Sequence, residues 1–544
     1  MNRLSRRELL TTLLGGTVAA VACRGRPVTP RFGGRLLGQS ADRGHRVRDA
    51  QLPTTTAPPR KAGVVIIGAG PAGLSAARRL RQAGFDDFVV LELEDQPGGT
   101  SAWGANEVSA YPWGAHYVPV PLPTSRALLE LFTEMKVIEG TDARGLPIVA
   151  EELLCRAPQE RLFFLNAWQE GLYPRAGASR EDLRQLHAFN AEVARWAAFR
   201  DANGRRAFTI PSVDSGDGPD LDALDRISMG DWLRQKGWTS RRLQWFVEYG
   251  CRDDYGSLLD TTSAWAGLFY FGARLDKPGG KGAEFITWPE GNGHIVRYLS
   301  TLAGERLRNG VGVTGLHARA ESVWIDAFDF RAKQPLCFEA GQVILAVSRP
   351  VAVRLLPEWR ATPPTFADPT YSSWMVANIT LRNRPVERTF PLCWDNVLYD
   401  SKGLGYVVAT HQTGKDFGST VWTYYLPLLD GTPREQREIL LGASWQHWVD
   451  VILSDLTRAH PDLPPLIEAI DVWRWGHAMV RPTVGLMRGD LLPQARLPYG
   501  RIHFAHTDLS GMALFEEAQH WGIAAAEAVL AELPFRSHSS GGSP

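Results

Sequence analysis

The sequence predicts an α/β protein in which a Rossmann-like domain is assembled from separated segments and interleaved with an α+β domain. Three observations carry that reading. A β-branched run at 62–67 leads straight into a glycine-rich turn and a helical stretch. A similar buried-strand run returns at 342–347. One long stretch with helical spacing lies between them, and one with strand alternation follows. At 544 residues the chain exceeds what one simple core organises. Its 44% apolar and 22% charged residues are those of a soluble globular protein. Basic and acidic residues cancel at 59 each, so nothing in the charge favours a nucleic-acid partner. Tryptophan is abundant, with 19 copies, enough to line an aromatic pocket as well as fill cores.

The first 23 residues read as a leader rather than as part of the fold. Ser5-Arg6-Arg7-Glu8-Leu9-Leu10 resembles a twin-arginine export signal, and the apolar stretch Leu9 to Ala22 is too short to span a bilayer. Ala20-Val21-Ala22-Cys23 also resembles a lipobox, which makes Cys23 a candidate membrane tether. Residues 24–60, rich in Arg, Pro, Thr and Gly, read as a flexible linker. The expected location is therefore periplasmic, free or lipid-anchored. The five cysteines, Cys23, Cys155, Cys251, Cys337 and Cys393, form no CxxC pair, which argues against a zinc site; one disulfide among the last four stays open.

The strand Ala62-Gly63-Val64-Val65-Ile66-Ile67 runs into Gly68-Ala69-Gly70-Pro71-Ala72-Gly73. Each glycine has a physical task there: Gly68 the tight turn, Gly70 a close approach of backbone to a pyrophosphate, Gly73 close packing of helix on sheet. The helix that follows points its free amides at the phosphates. A second strand, Phe88-Val89-Val90-Leu91, ends at Glu92, placed to accept hydrogen bonds from ribose hydroxyls. This much defines a dinucleotide site without choosing the dinucleotide.

Gln96-Pro97-Gly98-Gly99-Thr100 makes the choice. With the fingerprint before it, this segment resembles the flavin-containing amine oxidase superfamily, which includes monoamine and polyamine oxidases, amino-acid oxidases and carotenoid desaturases. The resemblance implies FAD in a GR2-type domain. The family carries arginines beside the glycine pair, whereas this chain has Gln96 and Thr100, so main-chain amides must hold more of the phosphate. Trp113-Gly114-Ala115-His116-Tyr117 resembles the segment that passes the flavin ring. Trp288-Pro289-Glu290-Gly291-Asn292-Gly293 and the 310–313 strand resemble the second cofactor segment, with Val313 as its adenine contact. Gly500 to Asp508 resembles the last strand and acidic turn, with Asp508 as the acid. The implied cofactor-binding residues are thus Gly68, Gly70, Pro71, Ala72, Gly73, Glu92, Gly98, Gly99, Thr100, Gly114, Ala115, His116, Val313 and Asp508. His503 and His506, three apart on a strand, face opposite ways and make no metal pair.

The resulting plan is a leader over 1–23, the linker over 24–60, and cofactor-domain segments over 61–120, 285–358 and 491–535. A helical cap occupies 121–284, a strand-rich substrate domain 359–490, and a disordered tail 536–544. Ser228-Met229-Gly230-Asp231 reads as a helix start. The aromatic-rich stretch Tyr255 to Phe271 reads as helix–helix core or as the border of a cavity. The strand 374–381 lacks the lysine that related oxidases carry at the flavin, with Ala377 or Asn378 in its place. Trp475 is a candidate wall of the substrate site, with Trp473 facing away; His116 and Trp475 are the only candidates for a catalytic side chain. The resemblance implies an FAD-dependent oxidoreductase, and the leader implies that it is exported. It would oxidise an amine or amino acid, a small molecule, by hydride transfer to flavin N5, with oxygen or another acceptor. A desaturase or dehydrogenase of a hydrophobic substrate is the second reading, and a non-catalytic flavin-bearing binding or assembly protein the third.

Overall fold

The computed structural model describes residues 32–275, 284–366 and 369–533. Its first sheet has seven strands, and the chain visits it at widely separated times. Leu307–Asn309, Phe88–Glu92, Arg60–Ile67 and Gln334–Leu345 lie side by side and parallel, and Ile502–Phe504 also pairs parallel with Gln334–Leu345. Val323–Asp329 and Val311–Ala318 continue the sheet antiparallel. The parallel strands read as unbroken apolar runs because both faces are covered, one by helices and the other largely by the antiparallel strands: Val64, Val65 and Ile66 are fully buried.

The helix Pro71–Gln82 packs on this sheet together with Gly293–Ala303 and the last helix, Phe515–Glu532. Two glycines set how close they come. A Cβ on Gly73 would stand 1.9 Å from the Gly68 carbonyl oxygen, and one on Gly522 would stand 2.1 Å from that of Ala72. Neither position tolerates a side chain without moving backbone.

The second sheet has eight strands in the order Leu36–Gly38, Ile467–Val480, Tyr371–Leu381, Thr420–Leu428, Gly405–Val408, Asp395–Leu398, Glu160–Phe164 and Ala167–Glu170. Its central strands are buried along almost their whole length. The cap contributes to it: Glu160–Phe164 and Ala167–Glu170 come from the stretch whose spacing suggests helices. Apart from a small hairpin, Ile138–Thr141 with Pro147–Val149, the remaining cap is mostly helical, with Arg180–Ala198, Arg241–Tyr255 and Ala264–Gly272 packed around Phe208, Trp265 and Phe269. Ser228 does start a helix, its hydroxyl accepting from the Asp231 amide at 3.0 Å.

One expectation fails outright. From Phe32 onward the stretch expected as a flexible linker is folded. Leu36–Gly38 joins the second sheet parallel to Val472–Arg474, and Ala41–Arg48 is a helix whose Val47 packs into the core of the first sheet. Arg35 pairs with Asp471 at 2.5 Å. These partners lie more than 400 positions away, which is why local composition gave no sign of them. The leader itself lies outside the described residues. Cys155, Cys251, Cys337 and Cys393 are buried free thiols. Among the described residues no helix is long and apolar enough to cross a membrane.

Candidate functional site

The fingerprint turn is built as its sequence demands. Gly68 has φ +99°, and the Gly68 amide donates to Leu91 O at 2.8 Å, tying the turn to the neighbouring strand. Pro71 opens the helix and Ala72 and Gly73 form its first turn, leaving the N-terminal amides free. The second glycine pair lies against this turn. Gly98 donates to Ala69 O at 2.9 Å, and both Gly98 and Gly99 have positive φ, +134° and +53°. A Cβ on Gly70 would meet nothing nearer than Gly99 Cα at 4.0 Å. The two glycine turns therefore leave a slot that a side chain would fill and a pyrophosphate fits.

Glu92 stands at the end of this slot. Its carboxylate accepts from the Ala69 amide at 2.7 Å and the Glu94 amide at 2.9 Å. Burial pushes its carboxyl up to about 7. Ribose hydroxyls donating to it would stabilise the ionised form. Glu92→Gln is expected to weaken binding of an adenosine dinucleotide about tenfold, read by titrating apoprotein. Register puts Asn309, rather than Val313, beside the acid: Asn309 is the residue paired with Glu92, while Val313 lies opposite Ala327.

Asp508 also needs correction. Its carboxylate accepts from the Arg349 amide at 2.6 Å and from the Tyr371 hydroxyl, and His506 Nδ1 lies 3.0 Å from it. Burial alone would raise its pKa, yet His506, Tyr371 and Arg349 hold it below the usual carboxylate range. Asp508 ties the last turn to the start of the helix Arg349–Leu355 and to Tyr371 of the second sheet, and it does not line the cavity described below. The chain instead brings Ala513, Leu514 and Phe515 to where the flavin segment Thr100, Gly114 and Ala115 lies.

That segment is held like a rail. Five consecutive carbonyls each have a donor: Pro112 O from Asn378, Trp113 O from Trp475 Nε1, Gly114 O from Tyr425 hydroxyl, Ala115 O from the Asn292 amide and His116 O from Thr287. A Cβ on Gly114 would stand 2.2 Å from Thr100 O. Asn378, in the place of the related enzymes' lysine, is thus spent on the rail, and Ala377 points to the other face. Val376 is the residue from that part of the strand that faces the cavity.

The cavity beyond the rail encloses about 1230 Å³, its solvent-open mouth included. His116, Trp374, Trp394, Tyr425 and Trp475 wall it, with the His116 ring 4.7 Å from that of Tyr425 and 5.5 Å from that of Trp394. Burial holds the His116 imidazole down at about 4, so it is neutral. Trp475 lines the cavity as expected, but Trp473 does not face away. Residues two apart on a strand share a face, and the two indoles sit 5.4 Å apart. Of the aromatic rings in the stretch 255–271, Tyr270 alone lines the cavity; Tyr255, Trp265, Phe269 and Phe271 belong to the core of the cap.

The acids were not anticipated. Glu160, Asp253, Asp254, Asp395 and Glu516 all face the cavity. Asp254 is neutralised by Arg274 at 2.7 Å, the only cation lining the cavity among the described residues. Glu516 has its own backbone amide and the field of Arg274, and the remaining three have weaker partners. Tyr270 donates to Asp253 at 3.4 Å and Tyr249 to Asp395 at 3.2 Å, while Glu160, beside Asp395 in the ladder, makes no side-chain hydrogen bond among the described residues. Burial and mutual repulsion push Asp253 up and Asp395 well up, and burial pushes Glu160 up to about 7. Such a cluster is costly as built, and an organic cation entering the aromatic wall would relieve it. Among the described residues no group of ligands has the arrangement for a metal ion.

Comparisons with known proteins agree with this geometry. The family described as NAD(P)-binding Rossmann-like domain matches residues 66–135. AofH of Mycobacterium tuberculosis, described as a flavin-containing monoamine oxidase, is 27% identical over 298 residues, 54% of this chain. The match spans only 58% of that relative's length. Among solved structures, a putrescine oxidase variant superposes with a TM-score of 0.64 at 15% identity, covering 87% of this chain and all of that one. A fatty acid isomerase from P. acnes superposes with a TM-score of 0.60 at 16% identity, covering 87% of this chain and 99% of that one. Proteins named for such different substrates share this fold, so the likeness speaks to architecture and the site must speak to chemistry.

Proposed function

We propose that this chain is an FAD-dependent oxidoreductase that oxidises a cationic amine. The observation that carries the reading is the cavity: unpaired carboxyls and aromatic rings facing the rail Gly114-Ala115 beside a dinucleotide slot. FAD, when bound, supplies the hydride acceptor. The chain does the rest. Gly70 and Gly99 open the slot for the pyrophosphate, Glu92 holds the ribose, and the rail sets how close the backbone comes to the ring. Trp374, Trp394, Tyr425 and Trp475 orient the donor carbon and exclude water. Glu160, Asp253 and Asp395 draw in the ammonium, and the apolar end of the cavity favours its loss of a proton.

An amino acid fits less well. Its carboxylate would lie among Glu160, Asp253, Asp395 and Glu516, and the one cation there is already paired with Asp254. A desaturase of a hydrophobic substrate has one supporting observation, Val376 and Asn378 where related oxidases carry a lysine; the carboxyls oppose it. The open cavity is not that of a protein that merely carries flavin. Export rests on the Ser5 to Leu10 motif and the apolar run after it, and a lipid tether on Cys23. Replacing Arg6 and Arg7 by lysine should leave the protein in the cytoplasm in cell fractionation, and Cys23→Ser should abolish any detergent-phase partitioning.

The first test is spectral. Purified protein should show a flavin band that an amine bleaches without air, and readmitting air tells whether oxygen is the acceptor. A band that no amine bleaches overturns the amine reading. Absence of any flavin overturns the whole.

The pH dependence has a definite sign. In the empty cavity burial raises the carboxyls, Glu160 to about 7, so their attracting, ionised form appears only as pH rises through that range. The amine stays protonated until about pH 10. KM for an amine is therefore expected to fall between pH 6 and pH 8, with protons released on binding, measurable by calorimetry in buffers of different ionisation enthalpy. A KM that rises over that interval contradicts the assignment.

A further inference from the structure

Three turn residues follow the ribose acid, and all three are held by the segment before the first sheet. The Glu94 carboxylate accepts from the Ser40 amide at 2.8 Å and the Ser40 hydroxyl at 2.6 Å. Arg43 donates to Leu93 O at 3.0 Å and to the Asp95 carboxylate at 2.8 Å. Ser40 is the N-cap of the helix Ala41–Arg48, yet its hydroxyl makes no capping bond; it is spent on Glu94. Glu94 in turn sits at the positive end of that helix, and the Glu94 amide is one of the two that fix the Glu92 carboxylate.

The segment is anchored well enough to act as a support. Its strand Leu36–Gly38 lies parallel to Val472–Arg474, next to the strand residue Trp475 that walls the cavity. A Cβ on Gly34 would stand 1.8 Å from Ile470 O, so the chain lies flat on the sheet. At the helix, Arg43 and Arg46 rest over the Phe330 ring at 5.3 and 5.6 Å.

We infer that Phe32–Asp49 is a strap for the cofactor site, in which Ser40 and Arg43 are positioning residues for Glu92. They hold the turn Leu93–Asp95, the turn holds the Glu94 amide, and that amide sets the direction in which the Glu92 oxygens face the ribose. The strap rests on the FAD reading above. It makes affinity for the adenosine half depend on residues outside the dinucleotide fold, while leaving the flavin half alone.

The test uses the full chain, stripped of flavin and titrated separately with FAD, ADP and FMN. ADP carries the adenosine half alone, and FMN lacks it. The Ser40→Ala, Arg43→Ala double variant should bind FAD and ADP about tenfold more weakly. FMN binding should be unchanged. Ser40→Thr, which keeps the hydroxyl, should retain the affinity of the unaltered protein when Arg43 is present. Unchanged FAD and ADP affinities in the double variant overturn the strap. So does an equal loss for FMN, which would mean general loosening. If the unaltered protein binds neither FAD nor ADP, the FAD reading itself falls and the strap with it.

Discussion

Replacing Asp253 by Asn and Glu160 by Gln together is expected to raise KM for a cationic amine about thirtyfold at pH 8, with the flavin spectrum unchanged. Both substitutions keep volume and remove charge. A unit charge about 5 Å from an ammonium, at an effective dielectric near 20, attracts it by about 3 kcal/mol. Solvent at the mouth and the remaining Asp395 reduce what is lost to about 2 kcal/mol, which is about thirtyfold. Asp254 is left in place deliberately: without it Arg274 would be a free cation facing the substrate, and its repulsion would confuse the result. The measurement is steady-state kinetics on a panel of primary alkylamines and diaminoalkanes. An unaltered KM across the panel would remove the carboxyls from substrate binding.

Gly522→Val is expected to cost about 3 kcal/mol or more of stability and to abolish flavin retention. Even the Cβ atom would stand 2.1 Å from Ala72 O, and both partners are main chain in packed helices. The last helix would have to lift from Pro71–Gln82, opening the phosphate turn from behind. Gly44→Ala is the matched control. Nothing lies within 4 Å of a Cβ there, so it should be neutral or stabilising by about 0.5–1 kcal/mol as a glycine removed from a helix. Thermal melts with and without FAD report both. A Gly522→Val protein that melts normally and keeps its flavin would show that the helices yield more easily than their packing implies.

The cofactor slot was legible because it is local. Gly68, Gly70, Gly73 and Glu92 lie within one strand–turn–helix–strand unit, and each has a steric or polar task that only its residue type performs. The acid cluster was not, because Glu160, Asp253 and Asp395 come from two strands and a helix that meet only in the tertiary fold. One signal was available. Asp253-Asp254 sits near the C-terminal end of the helix Arg241–Tyr255, where the helix dipole disfavours anions. Local choices that oppose the local field mark sites. The folded segment 32–60 was missed for the opposite reason: its own composition is that of a linker, and its stability lies in Asp471, Glu94 and Phe330. Asp508 was misplaced because the partners that claim it, the Arg349 amide and the Tyr371 hydroxyl, lie more than 130 positions away and leave no local sign.

The contact of Gly522 with Ala72 also orders events in time. The phosphate turn leaves the ribosome well before the helix Phe515–Glu532 that props it. Until that helix has been made, the slot has no brace from behind, so a firm grip on the cofactor comes late in the synthesis of this fold. If the chain then leaves the cytoplasm as proposed, a route that threads unfolded polypeptide would part it from any cofactor bound before.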